Sequence, residues 1–298
     1  MGREIADAYP EARAVFDEVD DALGEKLSET IWNGPDDALT LTANAQPALM
    51  AVSLATLRAM ECEGFEVTRA HYVAGHSLGE YSALAAARAL TVGDTARLLR
   101  IRGEAMQAAV PVGAGAMAAI IGLEMGQVEA ACEGASTSDE HVQIANDNGG
   151  GQLVISGHKG AVDRACEACK EAGAKRALLL PVSAPFHSNL MQPAAERMAQ
   201  ALAEVKIKAV TVPLICNVTA EPVTHPDDIA KHLVEQVTGR VRWAQSVQYM
   251  AEEGVNRLWE IGSGKVLSGL ARRIDRELET TSIGKPEDIA PALASLQA

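Results

Sequence analysis

Apolar residues recur at helical spacing over Pro10 to Gly24, where Val15, Phe16, Val19 and Leu23 form one stripe between a leading proline and a closing glycine. This predicts an amphipathic surface helix. Gln46 to Glu63 carries Leu49, Val52, Leu54, Leu57 and Met60 at the same period with fewer charges, so its helix is expected to be buried on one side. Val67 to Ala74 is a short apolar run that ends at Gly75, and the alanine-rich stretch Leu78 to Leu90 favours helix. The pattern predicts a strand, a tight turn and a helix. Leu90 to Val110 continues as a second helix bearing Arg97, Arg100 and Arg102.

From Ala114 the period changes. Ala116 to Leu123, His141 to Asn146, Gln152 to Gly157 and Arg176 to Val182 are strand-like, with helical patterns over Met125 to Cys132 and Lys159 to Gly173. The order strand, helix, strand, strand, helix, strand suits a ferredoxin-like unit, so residues 112–182 are expected to form an inserted small subdomain. Beyond it, helical patterns at Leu190 to Val205, Ile229 to Val237 and Trp243 to Glu253 alternate with strand-like runs at Val210 to Asn217 and Val255 to Ile261. Residues 1–111 and 183–298 are therefore expected to form one interrupted α/β domain with a mostly parallel sheet.

Composition narrows the functional classes. The formal charge of -14 and the 3% aromatic content argue against nucleic acid and against an anionic membrane surface. Five cysteines, an odd number without repeating spacing, fit a reducing compartment and no disulfide framework. Cys166 and Cys169 have the spacing of half a zinc site, but no second pair follows and the stretch reads as helix, so no metal is expected. With no apolar run suited to export, a cytoplasmic monomer is the default.

The sharpest chemical feature is Gly75-His76-Ser77-Leu78-Gly79 at the predicted strand-to-helix turn. Glycines two before and two after give a serine nucleophile clearance, and the helix that follows places the Leu78 N–H where it can stabilise an oxyanion. Serine needs a base. Among seven histidines His187 stands out, because it lies between a strand end and a helix start, where open α/β folds gather their active sites. His76 is adjacent to Ser77 in sequence, and neighbours at a tight turn point apart, so it is expected to shape the pocket.

These residues resemble malonyl-CoA:acyl carrier protein transacylases over nearly the whole chain. The resemblance is carried by Gly75 to Leu84, Arg102-Gly103 with Met106-Gln107, Gly115 to Ala119, Gln152 to Gly157, Pro181-Val182-Ser183 with Pro185 to Ser188, and Glu260 to Leu267, where Ser263 replaces a usual proline. It implies a hydrolase-like α/β fold, helices on both sheet faces, with the ferredoxin-like insertion. It also implies that Ser77 takes malonyl from the coenzyme A thioester, with His187 as base, and passes it to the phosphopantetheine thiol of acyl carrier protein in a ping-pong cycle without a bound cofactor. Arg102 matches the arginine that grips the malonyl carboxylate, Gln236 the residue whose main-chain carbonyl orients the histidine, and Phe186 the bulky residue that crowds a branched acyl chain. Lys159, Lys170, Lys175 and Arg176, or Arg272 and Arg273, are candidate contacts for an acidic carrier.

The same resemblance places an apolar strand and a Gly-Gln-Gly-Ser-Gln turn ahead of residues similar to Met1 to Ala8, the second glutamine giving another oxyanion N–H. A strand and one donor are thus expected to be missing from this sequence, as from a start placed too late, and one lost donor costs ~10² to 10³ in rate. Two alternatives follow: a serine esterase or thioesterase sharing the elbow, and an impaired module that only binds carrier protein or coenzyme A. Arg102 separates the first, since hydrolysis of neutral acyl groups has no use for it.

Overall fold

Helix boundaries follow local chemistry in the computed structural model, which describes residues 1–296. The chain opens with helices α1 (Arg3–Ala8), α2 (Pro10–Leu23), α3 (Leu27–Asn33), α4 (Asp36–Thr40) and α5 (Thr42–Cys62). Proline at the first position of α2 and Gly24 in the left-handed region after it set that helix's limits. Strand β1 (Val73–Ala74) leads through the serine turn into α6 (Leu78–Ala86), and α7 (Val92–Ala108) starts where the Thr91 hydroxyl accepts from the Asp94 N–H.

The next segment holds β2 (Gly115–Ile121), α8 (Met125–Ala135), β3 (Val142–Asp147), β4 (Gln152–His158), α9 (Lys159–Glu171) and β5 (Arg176–Leu179). Its four strands form one antiparallel sheet in the order β3-β4-β2-β5. One face packs α8 and α9 over a separate core of Ile120, Val128, Ile144, Ile155 and Val162. The other face sets Met117, Ala145 and Val154 against Phe186, beside the predicted base.

The chain closes with α10 (Gln192–Ala203), β6 (Leu214–Ile215), β7 (Pro222–Val223), α11 (Pro226–Thr238), α12 (Trp243–Glu252), β8 (Arg257–Ile261), α13 (Val266–Ile274), β9 (Glu279–Ile283) and α14 (Pro286–Ala294). The protein is therefore α/β with mixed sheets. The mostly parallel sheet expected for residues 1–111 and 183–298 is split in two: β1 pairs parallel with β6, β6 pairs antiparallel with β7, and β8 pairs parallel with β9 in a second small sheet. Two strands are shorter than their apolar runs suggest, for identifiable reasons. Polar Thr68, Arg69 and His71 interrupt the first run, and Val67 to Arg69 forms a 3₁₀ turn. Pro213 cannot donate to a ladder, so β6 begins after it while its carbonyl accepts from the Val73 N–H. Among the described residues no helix is long and apolar enough to cross a membrane.

One close crossing positions the site. A Cβ on Gly103 of α7 would lie 2.6 Å from Thr42 O and from Ala43 Cα of α5, so only glycine lets these helices approach. Arg102 and Gln46 are thereby brought within hydrogen-bonding reach.

Candidate active site

The turn between β1 and α6 depends on Gly75, where a Cβ would sit 2.0 Å from the Gly79 carbonyl. Gly79 needs no such clearance, because nothing lies within 4 Å of a Cβ built there. The expected two-sided relief is one-sided: the crowding comes from the chain folding back over Gly75. Ser77 occupies the left-handed side of backbone space at φ 54, ψ -110, a conformation a non-glycine residue holds only when its surroundings enforce it. Asn217 supplies that enforcement. Its Oδ1 accepts from the Ser77 N–H at 2.7 Å and its Nδ2 donates to the Gly75 carbonyl at 2.8 Å.

The structure brings Ser77 and His187 together, with Oγ 2.8 Å from Nε2. His187 also has positive φ, 55°, in the loop between β5 and α10. Its Nδ1 lies 2.8 Å from the Gln236 carbonyl, which can only accept, so Nδ1 carries the proton and Nε2 faces the serine as acceptor. Burial, reinforced by the positive charge of Arg102, pushes His187 down to about 3. Gln143 of β3 ties the loop to the antiparallel sheet and to the end of α11, donating to the His187 carbonyl at 3.3 Å and the Thr238 carbonyl at 3.2 Å.

Arg102 is only 2% exposed, and its acceptors are neutral. It donates to Gln46 Oε1 at 2.7 Å, to Gln236 Oε1 at 2.8 Å and to Ser77 Oγ at 3.0 Å, and its guanidinium carbon lies 5.7 Å from the Tyr81 ring. Burial pulls it below its ordinary value, with Tyr81 and Glu80 opposing. A planar donor fork held by neutral oxygens beside a serine hydroxyl is suited to exchange those partners for a carboxylate carried on that serine.

His76 points away from the Ser77–His187 pair, bonding Asn148 at 2.9 Å and facing the Trp243 ring, and burial lowers its basicity. Leu78 begins α6, and among the described residues its N–H has no acceptor in the protein. Phe186 packs both on the large hydrophobic cluster that contains Tyr81, Leu84 and Leu99 and on Met117, Ala145 and Val154 of the antiparallel sheet. The surface basic residues are not gathered here: Lys159 pairs with Asp163, Lys170 with Glu167, Arg272 bonds Thr280 and Arg273 bonds Gln152.

Four side chains absent from the sequence-based site list belong to this arrangement: Gln46, Glu80, Asn217 and Gln143. Glu80 alone lies in a segment singled out by sequence; the three amides carry no motif, since a buried amide looks like any surface amide until its partners are known.

Comparison with known proteins gives a consistent set of relatives. Residues 1–293 match the family model described as the acyl transferase domain. The malonyl CoA-acyl carrier protein transacylase of Bacillus subtilis (strain 168) is 45% identical over 297 residues, 100% of this chain and 93% of that protein. Its counterpart from Escherichia coli (strain K12) is 46% identical over 293 residues, 98% of this chain and 94% of that one. Among solved structures, the acyl-carrier-protein-S-malonyltransferase from Bartonella henselae superposes with a TM-score of 0.97 at 57% identity, covering 100% of this chain and 95% of that one.

Proposed function

The chain belongs to the acyl transferase domain family, and from that premise we propose that it moves a malonyl group from malonyl-CoA to the phosphopantetheine thiol of acyl carrier protein through an ester on Ser77. It is an acyltransferase whose coenzyme A thioester is substrate, not a resident cofactor, and whose product serves fatty-acid or polyketide synthesis. The single observation that carries the site assignment is Ser77 Oγ shared between His187 Nε2 at 2.8 Å and Arg102 at 3.0 Å. One contact supplies a base; the other supplies a cation at the reach of an acyl-chain carboxylate.

Ser77 Oγ attacks the thioester carbonyl while its proton passes to His187 Nε2, and the Gln236 carbonyl holds the imidazolium through Nδ1–H. The Leu78 N–H faces the developing oxyanion. The tetrahedral intermediate collapses, the C–S bond breaks, and His187 returns the proton to the departing coenzyme A thiol. The carrier thiol then repeats the sequence on the ester, losing its proton to His187 as the C–S bond forms, and Ser77 is regenerated as the C–O bond breaks. Arg102 releases its neutral acceptors to bind the malonyl carboxylate. The malonyl carboxylate also offsets the positive charge that, after burial, depresses His187, so the bound acyl group makes its base stronger.

The finer architecture belongs to this reading. A hydrolase-like large unit, 1–111 and 183–298, carries a ferredoxin-like insertion, 112–182; the strand and helix order and the separate insertion core support the division. A cytoplasmic location is supported by the odd set of five cysteines.

Initial rates with malonyl-CoA and carrier thiol varied against each other test the cycle. A covalent intermediate gives parallel double-reciprocal lines; intersecting lines would mean direct transfer in a ternary complex and remove Ser77 from its role.

A further inference from the structure

We propose that Glu80 is a positioning residue for acyl transfer, its buried carboxylate anchoring the Gln236 side chain and the Asn217 backbone and through them fixing Ser77, His187 and Arg102. This inference rests on the assignment of Ser77 and His187 given above.

Glu80 touches none of the reacting atoms. It lies on the first turn of α6, 1% exposed, and both of its oxygens are used: Oε2 accepts from Gln236 Nε2 at 2.6 Å and Oε1 from the Asn217 N–H at 3.3 Å. Each partner holds a different part of the machinery. Asn217 clamps both sides of the serine turn. Gln236 bonds all three of Ser77, Arg102 and His187: its amide donates to the Ser77 carbonyl at 2.9 Å, its side-chain oxygen accepts from Arg102, and its main-chain carbonyl accepts from His187. The orientation of that amide is set by two acceptors, the Ser77 carbonyl and Glu80, of which Glu80 is the charged one and makes the shorter bond. A carboxylate can only accept, so it draws the NH₂ end of Gln236 toward itself and leaves the oxygen for Arg102. With the amide reversed, NH₂ would face the guanidinium, and two donors would oppose each other in a buried pocket.

The brace works only while Glu80 can accept from both donors. Protonation removes the negative charge and gives one oxygen an O–H, which weakens the bond that oxygen accepts from Gln236 or Asn217. Burial raises Glu80 to about 7, with Gln236, Asn217, Cys216 and Arg102 pulling the other way. The titratable groups facing it are Arg102 from α7, Tyr81 on its own helix and the Cys216 thiol after β6. Tyr81 and Cys216 are themselves pushed well above the neutral range by burial, and His187 lies near 3, so none of them titrates where Glu80 does.

The test is the single-turnover rate of malonyl-Ser77 formation, read by peptide mass spectrometry across the neutral pH range. In the wild type the rate should rise with pH through about 7 and then level. Glu80→Gln should lower the plateau roughly 10- to 100-fold, as expected for a site loosened by a fraction of an ångström, and should abolish the inflection. Glu80→Asp, which keeps the acid one methylene shorter, should recover part of the rate and retain the inflection. A flat wild-type profile, an inflection that persists unchanged in Glu80→Gln, or equal losses in the two variants with no inflection in either overturns the inference. If Glu80→Gln does not fold, the wild-type profile and Glu80→Asp decide. Absence of any adduct on Ser77 at every pH overturns the acyl-enzyme reading itself, whereas an adduct that forms with a flat profile overturns only the role of Glu80.

Discussion

Arg102 is the residue whose replacement should separate malonyl transfer from general acyl transfer. Arg102→Ala removes a buried, charge-assisted contact worth up to about 3 kcal/mol, so malonyl loading should fall about 100-fold. It also removes the positive charge that depresses His187, so acetyl loading from acetyl-CoA should be retained or improved. Parallel losses for both acyl groups would show that Arg102 only supports the fold. Two buried groups also tie stability to pH in opposite senses. Glu80 rises from 4.5 to about 7 on folding, so the folded state keeps a proton that the unfolded chain has released, and this contribution falls as pH climbs through that window. His187 drops from 6.5 to about 3, so the unfolded chain takes up a proton that the folded state refuses, and this contribution is lost as pH falls from 6.5. Between 4.5 and 6.5 the two slopes oppose. Glu80→Gln should therefore expose the histidine slope, with the urea midpoint climbing more steeply over that window than in the wild type; an unchanged dependence would contradict the raised Glu80.

The crossing of α5 and α7 is the element-scale feature that places Gln46 against Arg102. Gly103→Ala adds a methyl 2.6 Å from the Thr42 carbonyl and Ala43 Cα, so the helices must separate, at about 1–3 kcal/mol. Gln46 moves with α5, and the KM for malonyl-CoA should rise. Gly269→Ala in α13 is the control: nothing lies within 4 Å of its Cβ, and it should stabilise by about 0.5–1 kcal/mol. Denaturant titration of both variants checks the pair. Element legibility divides along the same line. Long amphipathic helices such as α2 and α9, and the strands of the four-stranded antiparallel sheet, follow from periodicity because many residues report one face. Strands of two residues carry no period, so β1 and β6 blur into longer apolar runs, and β7, α13, β9 and α14 did not emerge from the pattern. The proposed serine and base were legible because each sits in a motif at an element boundary. Gln46 and Asn217 were not, because their meaning lies in contacts across 56 and 140 residues of chain.

At the scale of the whole molecule, Phe186 packs both on the large hydrophobic cluster that contains Tyr81, Leu84 and Leu99 and on the Met117, Ala145 and Val154 face of the antiparallel sheet, and Gln143 of that sheet bonds the His187 carbonyl. The proposed base is thus held from β3 through Gln143 as well as from α11 through Gln236. The formal charge of -14 adds a long-range effect. Malonyl-CoA is anionic, so its approach is opposed at low salt, and kcat/KM should increase as ionic strength rises from about 10 mM to 150 mM and the field is screened. A decrease would mean that a local basic surface governs the encounter.

The central claim is a covalent malonyl-Ser77 intermediate, and the most direct measurement is mass spectrometry of the protein after brief exposure to malonyl-CoA. One malonyl group should appear on the peptide containing Ser77, should be absent in Ser77→Ala, and should disappear on addition of carrier protein with its thiol arm. A folded wild-type protein that gains no malonyl group, or gains it equally in Ser77→Ala, would contradict the claim.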